Sequence, residues 1–321
     1  MTAPSILALY AHPDDESLVA GGVLARHAAA GARTAVVTAT WSPDSHRAAE
    51  LATALGILGA GEPRMLGYAD FRVPDSAPGQ PRFRDAPLEE SVGRVVSHIR
   101  AFRPDIVVTH DAYGSSGHPD HRHTHRVALL AVHAAGLDGL HPLAGPAWQP
   151  GALYFTAHPR RACRALSDLL SGAGKHLHTV PDDRATAGVD VRPWLDRKWA
   201  AIRAHRSETA RGHSLPALLS GLPPRDREAI LGTEWFIRHT PGPHPGASAN
   251  SPRSALAAAG GAVGRRPSYC LCPPAKWAAA ADAVRSSAER AVMAPAGTRR
   301  GTASGVVAMR VNRRLTGGGP S

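Results

Sequence analysis

The sequence predicts an α/β protein built around an open, mainly parallel sheet that is flanked by helices. Five short apolar runs, typical of buried strands, recur within the first 160 residues, and segments with helical spacing separate them. This alternation is typical of βαβ units, whose parallel strands are buried on both faces. In addition, polar clusters rich in His and Asp follow two of the runs, as expected where strands end at a binding crevice.

The first elements are expected to be a strand, a helix, a strand, a helix and a short strand. The helix after the first strand ends at Gly31, a residue type that commonly closes helices. The next helix is amphipathic, and the strands around it are short and apolar. The expected ranges are 5–11, 17–31, 33–40, 45–59 and 63–68.

A loop rich in Pro, Asp and Gly covers residues 69–87 and precedes a helix that starts with Pro and Glu, as helices often do. Strands and helices then continue to alternate. The expected ranges are a helix at 87–102, a strand at 105–110, a helix at 121–136, a strand at 152–158, a helix at 193–208 and a strand at 233–239. These elements predict a Rossmann-like sandwich.

Residues 1–245 are predicted to form one domain, and residues 246–321 a basic, low-complexity tail that is mostly disordered. The tail has 11 basic and two acidic residues, which leaves 26 basic and 24 acidic residues in the domain. The net charge of +11 therefore comes mainly from the tail. Because the tail lacks interleaved aromatic and basic residues, no specific nucleic-acid partner is expected.

Composition favours a cytoplasmic protein without a membrane span. The sequence has no run of 18 apolar residues, and its first residues lack the basic region of a secretory signal. Three cysteines cannot form a disulfide framework, which fits a reducing compartment.

Two polar clusters follow predicted strands. "AHPDDE" ends the strand at 5–11, and "THDAYGSSGHPDHRHTH" ends the strand at 105–110. Because parallel strands place their carboxyl ends on one edge of a sheet, these clusters are expected to converge. The candidate metal ligands are His12, Asp15, His118 and His121. Either cluster alone could be a turn with an Asp helix cap, but "HPDD" and "HPDH" each occur at a strand-to-helix junction, which disfavours a purely structural explanation.

Two imidazoles and one carboxylate suit zinc and leave a position open for water. Such a site activates water as a nucleophile. A remaining carboxylate could then act as general base, and a remaining histidine as acid or oxyanion stabiliser. His123, His125 and His133 are expected to lie on the helix after the loop and to be packing or surface residues rather than ligands.

"AHPDDES" followed by "GHPDH" closely resembles the PIG-L/LmbE-like family of zinc-dependent N-deacetylases. The resemblance spans about residues 5–240, with weaker matches at "DRKWAAIRAHRSE" and "EWF". The family includes deacetylases of glycosylphosphatidylinositol precursors, of the mycothiol pathway and of antibiotic sugars. The resemblance therefore implies hydrolysis of an N-acetyl group on an N-acetylglucosamine-type sugar or glycoconjugate.

The resemblance also implies roles for individual residues. One zinc per chain would be bound by His12, Asp15 and His121, with Asp14 as general base. His118, oriented by Asp120, would stabilise the oxyanion and protonate the leaving amine. Arg47 would hold substrate hydroxyls or phosphate, although it could instead be an exposed helix charge.

Two departures weaken assignment to the mycothiol branch. Ser116 stands where mycothiol-pathway deacetylases carry a tyrosine, and the nearest tyrosine is Tyr113. Val19 and Ala20 stand where mycothiol-conjugate amidases carry a lysine.

The expected partner is a small N-acetylated sugar or glycoconjugate. One alternative is an amidase acting on a larger N-acyl conjugate, which the volume between segments 69–87 and 140–150 would distinguish. Another is a non-catalytic metal- or sugar-binding protein, which the complete set of acidic and histidine residues disfavours.

Overall fold

A computed structural model of the protein describes residues 3–239. The strands are β1 (Ile6–Tyr10), β2 (Thr34–Thr40), β3 (Arg64–Tyr68), β4 (Ile106–Thr109), β5 (Ala152–Thr156), β6 (Ala187–Asp190) and β7 (Thr233–His239). The helices are α1 (Asp15–Val19), α2 (Gly21–Ala29), α3 (His46–Leu58), α4 (Leu88–Phe102), α5 (Gly114–Gly117), α6 (Pro119–Ala135), α7 (Arg164–Gly172), α8 (Leu195–Ala204), α9 (Arg206–Ala210), α10 (Leu215–Ser220) and α11 (Pro224–Leu231).

The seven strands form one sheet in the order β3-β2-β1-β4-β5-β7-β6. The first five strands of the chain pair in parallel, whereas β7 is antiparallel to both β5 and β6. The order runs outward from β1 in both directions, so the chain reverses its direction of travel between β1 and β4. Open α/β sheets bind ligands at such a switch point. The predicted fold class is confirmed.

Helices cover both faces of the sheet because side chains alternate between faces along a strand. Leu7 and Leu9 of β1 lie in one core cluster with residues of α4 and α6. Ile6, Ala8 and Tyr10 lie in a second cluster with residues of α2 and α3. Since β1 is buried on both sides, its carboxyl end is shielded by both helix layers.

The predicted helix at 17–31 is in fact two helices that meet at Ala20. Glu234 of β7 accepts hydrogen bonds from the backbone N–H groups of Gly22 and Val23, each at 2.8 Å. These bonds give partners to two N–H groups that have no acceptor within the first turn of α2. A Cβ on Gly22 would lie 2.4 Å from the Val191 Cβ, so glycine is needed for this approach. Both partners lie far along the chain, so the local pattern could not indicate the break.

Other differences lie in the last third of the domain. The predicted helix at 193–208 is divided at His205 into α8 and α9, and the edge strand β6 was not predicted. The four residues of β6 alternate between half-buried and exposed, and they contain Gly and Asp, so they lack the apolar run of a buried strand.

Within residues 3–239, no helix is both long enough and apolar enough to cross a membrane. The predicted tail at 246–321 lies outside the described residues, and the domain boundary at 245 therefore stays a prediction.

Candidate metal centre and active site

The two His-Pro-Asp motifs meet at the switch point of the sheet. β1 and β4 are neighbouring parallel strands, with Leu9 beside Thr109 in the register. The first motif follows β1 directly, and the second starts α6 after the loop that follows β4. The convergence expected from the sequence is therefore present.

The first motif forms a tight turn that fixes its own geometry. The Asp15 carboxylate accepts a hydrogen bond from the backbone N–H of His12 at 2.9 Å. Asp14 between them has φ of 129°, a strained conformation for a residue with a Cβ. Strain of this kind is often found at functional sites, and here it turns successive acidic side chains in different directions.

Three donor groups converge from the two motifs. Nδ1 of His12 lies 3.1 Å from Nε2 of His121. The Asp15 carboxylate approaches these same two nitrogens at 3.5 and 3.4 Å. His118 is close by, with its ring centroid 4.6 Å from that of His12, so a third imidazole adjoins these two.

Each converging imidazole is held through its second nitrogen. Nε2 of His12 contacts the carboxylates of Asp120 at 3.2 Å and Asp70 at 3.4 Å. Nδ1 of His121 lies 3.1 Å from the carbonyl oxygen of Gly114, to which it can donate. A Cβ on Gly114 would lie 2.7 Å from the His121 Cβ, so only glycine permits this contact. Histidines that bind metals are typically fixed in this way.

The charges also fit a cation. Although burial opposes a proton on His12, contacts with Asp120 and Asp15 raise the pKa of His12 to about 10. Burial by itself would raise the pKa of Asp15, but His121 and His110 hold it well below its usual range. Carboxylates that stabilise a positive charge at this point would also stabilise a metal ion, so these donor groups fit a metal ion.

Asp14 lies beside these groups and forms an ion pair with Arg47. Its carboxylate is 3.2 Å from an Arg47 terminal nitrogen. Burial raises the pKa of Asp14 to about 7, against the opposing effect of Arg47 and with a further increase from Asp15. A carboxylate with a pKa near neutrality is suited to accept a proton during catalysis.

Arg47 is buried, with 5% of its surface exposed, so it is not an exposed helix charge. Its terminal nitrogens contact Asp14, the Pro13 carbonyl and Glu208, the last at 3.1 Å. All three contacts are with the protein, and contact of Arg47 with substrate stays a prediction.

The Asp120 carboxylate faces His12 rather than His118. It lies 3.9 Å from Nδ1 of His118, whereas the backbone N–H of Asp120 donates to that nitrogen at 3.2 Å. The predicted orientation of His118 by Asp120 is therefore provided mainly by the backbone. Burial, followed by the positive charge of His12, lowers the pKa of His118 to about 4, although Asp120 opposes this.

His110 is a site residue that the sequence reasoning missed. Its Nε2 is 3.3 Å from the Asp15 carboxylate, and its ring stacks on His121 with centroids 4.0 Å apart. The side chain is buried. Its position directly after β4 was the available signal, since the first residues beyond a strand face the crevice.

Glu16 completes the acidic run but faces away from the metal donors. Its carboxylate contacts Nε2 of His205 at 2.9 Å, and both side chains are fully buried. It also accepts a hydrogen bond from the backbone N–H of Asp14 at 3.0 Å. Glu16 thus anchors the strained turn to the junction of α8 and α9.

A cavity of about 410 Å³ lies beside Asp15 and His121. Of the two segments whose intervening volume would distinguish a deacetylase from an amidase, 69–87 contributes Arg72 to this cavity and 140–150 contributes no residue. Residues 140–150 precede β5 and so lie toward the amino ends of the parallel strands.

The family model described as "PIG-L: GlcNAc-PI de-N-acetylase" matches residues 7–132. A 1D-myo-inositol 2-acetamido-2-deoxy-alpha-D-glucopyranoside deacetylase of Geodermatophilus obscurus is 32% identical over an alignment of 269 residues that covers 72% of this chain and 90% of the relative. A protein of the same name from Rhodococcus opacus is 36% identical over 242 residues, covering 65% and 82% of the two chains.

Two solved structures share the fold. N,N'-diacetylchitobiose deacetylase from Pyrococcus horikoshii gives a TM-score of 0.53 at 19% identity, covering 74% of this chain and 84% of its own. A conserved protein from Thermus thermophilus gives a TM-score of 0.52 at 25% identity, covering 75% and 97%.

Proposed function

Because this chain belongs to the PIG-L family of de-N-acetylases, we propose that it uses zinc to remove the N-acetyl group from an N-acetylglucosaminyl glycoside of a small polyol such as inositol. The protein is a deacetylase, a hydrolase that cleaves the amide of an N-acetylglucosamine-type sugar. The polyol is proposed because both relatives are deacetylases of an inositol glycoside, although Ser116 replaces the tyrosine of mycothiol-pathway deacetylases.

The observation that supports the proposal best is the convergence of His12, Asp15 and His121 at the switch point. We assign these three residues as the ligands of one zinc ion. When bound, zinc would act as a Lewis acid toward the amide carbonyl and water. Two nitrogens and one oxygen leave a further position open for such chemistry.

Asp14 is the proposed general base. It adjoins ligand Asp15 in sequence, and Arg47 fixes one of its carboxylate oxygens. The other oxygen remains to accept the proton of attacking water. Glu208 holds Arg47 from the opposite side and thereby supports this arrangement.

His118 is the proposed hydrogen-bond donor to the oxyanion that develops from the acetyl carbonyl. Since Nδ1 accepts from the backbone N–H of Asp120, a neutral ring carries its proton on Nε2. That N–H can stabilise negative charge in the transition state. Because loss of its proton would leave an imidazolate, the leaving amine would take the proton that Asp14 has accepted from water rather than a proton of His118.

The test is acetate release from an N-acetylglucosaminyl inositol and from free N-acetylglucosamine, before and after treatment with a chelator. We expect turnover to disappear with the chelator and to return with added zinc. Asp14→Asn should remain inactive after zinc is restored, while Asp138→Asn, at an exposed position, should match the wild type. Turnover that persists in metal-free protein would contradict the proposal.

The non-catalytic alternative is disfavoured because the base, the oxyanion donor and all three ligand candidates meet at one point. Location in the cytoplasm stays a prediction from the sequence.

A further inference from the structure

The cavity beside the metal donors has an apolar wall that an acetyl group does not require. Leu18 and Val19 of α1, Leu166 and Leu170 of α7, and Leu215 of α10 all line it. Leu170 is buried, and Leu166 and Leu215 pack in the same apolar cluster. Asp15 and His121 lie at the same cavity, so the apolar wall is continuous with the metal centre.

The cavity is also larger than an acetyl methyl group. A methyl group needs about 30 Å³, close to the liquid volume of one water molecule. The cavity measures about 410 Å³, which leaves room for several more methylene groups.

The position of the cavity indicates which part of a substrate would enter it. The scissile carbonyl must lie at the metal centre, so the acyl chain and the sugar extend in different directions from that point. The lining also includes polar side chains, among them Arg72, Ser116 and Lys175, which can form hydrogen bonds with the sugar. The leucines of α1, α7 and α10 offer the acyl chain an apolar wall.

We infer that this cavity is an acyl-chain subsite, which lets the enzyme hydrolyse N-acyl glucosamine derivatives with chains of about four to six carbons. The inference rests on the proposed deacetylase function and extends it from the acetyl group to a class of longer linear acyl groups. The bond broken is the same amide, with water adding to the acyl carbon and the amine leaving with a proton.

The experiment compares N-acetyl-, N-butanoyl- and N-hexanoylglucosamine with the zinc-loaded wild-type protein. Burying one methylene group favours binding about fourfold. We expect KM to fall by about this factor for each added methylene, while kcat changes little. Titration calorimetry with the metal-free protein should show the same order of Kd, independently of hydrolysis.

Leu166→Trp and Leu215→Trp fill the cavity from two different helices. Each should lower the ratio of kcat/KM for the hexanoyl to the acetyl substrate by about tenfold or more. Leu143→Trp, at a fully exposed leucine, is the size-matched control and should keep the wild-type ratio. If one filled variant fails to fold, the other variant and the chain-length series still decide the question.

The inference is overturned if the wild type hydrolyses the acetyl substrate best and binds the hexanoyl compound no more tightly. Deacetylation itself then stands. If no amide is hydrolysed, the proposed function fails, and the calorimetric order of Kd alone decides whether the cavity binds acyl chains.

Discussion

Nδ1 of His12 and Nε2 of His121 lie 3.1 Å apart, although 109 positions separate the residues in the chain. Two nitrogen lone pairs repel at this distance unless a proton or a cation lies between them. The second nitrogen of each ring is already engaged, by Asp120 and by the Gly114 carbonyl. The two nitrogens and the Asp15 carboxylate are therefore placed to bind one positive charge between them.

The first prediction follows from this pair. His12→Ala and His121→Ala should each bind far less than one equivalent of zinc, because either change removes a ligand nitrogen. Elemental analysis after gel filtration measures the bound metal. His133→Ala, at an exposed position on α6, should keep the wild-type content. Full metal content in either ligand variant would exclude that residue as a ligand.

The second prediction separates metal binding from chemistry. Asp14→Asn should bind zinc normally but lose about 10²–10⁴-fold in kcat, since an amide cannot accept the proton. Asn has the same shape as Asp, so the turn at φ 129° should persist. Acetate release by zinc-replete protein measures the loss. A kcat near that of the wild type would mean that another group is the base.

The sequence was sufficient to predict the two motifs' convergence, because strands β1 and β4 have clear apolar patterns and parallel strands share an edge. His110, Asp70 and Glu208 were not predicted as site residues. His110 lies in the second polar cluster, and its position directly after β4 was the only local signal for it. Asp70 and Glu208 lie outside both motifs, and their roles depend on contacts with His12 and Arg47, which are far away in the chain. Such contacts follow from packing and leave no local pattern.

The break between α1 and α2 has the same cause. Apolar spacing continues across residues 17–31, so the local pattern predicts one helix. Glu234, far along the chain, supplies the acceptor for the start of α2 and also pairs with buried Lys198 at 2.8 Å. Tertiary contacts overrode local helix propensity here.

The third prediction tests whether Arg47 acts through Asp14 or through the substrate. Glu208→Gln leaves Arg47 in place but weakens the contact that fixes it. A positioning role predicts a fall in kcat of up to about 10²-fold with little change in KM, because misplacing a catalytic group affects the transition state. Steady-state kinetics over a range of substrate concentrations separates the two parameters.

Arg47→Lys provides the second arm of this test. A lysine cannot contact Asp14 and Glu208 together, so it should show the same loss of kcat as Glu208→Gln. If Arg47 instead holds the substrate, Arg47→Lys should raise KM while Glu208→Gln changes it little. That result would favour the role implied by family resemblance.

The fourth prediction concerns His110, which contacts Asp15 and stacks on His121. His110→Asn should weaken zinc affinity by about 10–100-fold, because groups that orient metal ligands typically contribute this much. Competition with a chromophoric chelator measures the affinity without reference to activity. His133→Asn serves as the control. Unchanged affinity would show that Asp15 and His121 hold their positions without His110.

The last prediction concerns the dependence of stability on pH. His158 is buried and lies 3.1 Å from the Ser115 hydroxyl. Burial lowers the pKa of His158 to about 4 from its usual 6.5, with Asp111 opposing the shift and His110 adding to it. The folded protein therefore binds this proton less readily than the unfolded chain does. The contribution of neutral His158 to the free energy of unfolding is complete above pH 6.5 and is lost as pH falls toward 4.

His158→Gln removes this proton-binding site but leaves a polar side chain near Ser115. Between about pH 8 and pH 5, the wild-type free energy of unfolding should fall by about 2 kcal/mol more than that of the variant. Urea unfolding of both metal-free proteins at the two pH values measures the difference. If the free energy of unfolding falls equally in the two proteins, protonation of His158 does not destabilise the folded state. Other buried histidines then account for the acid sensitivity.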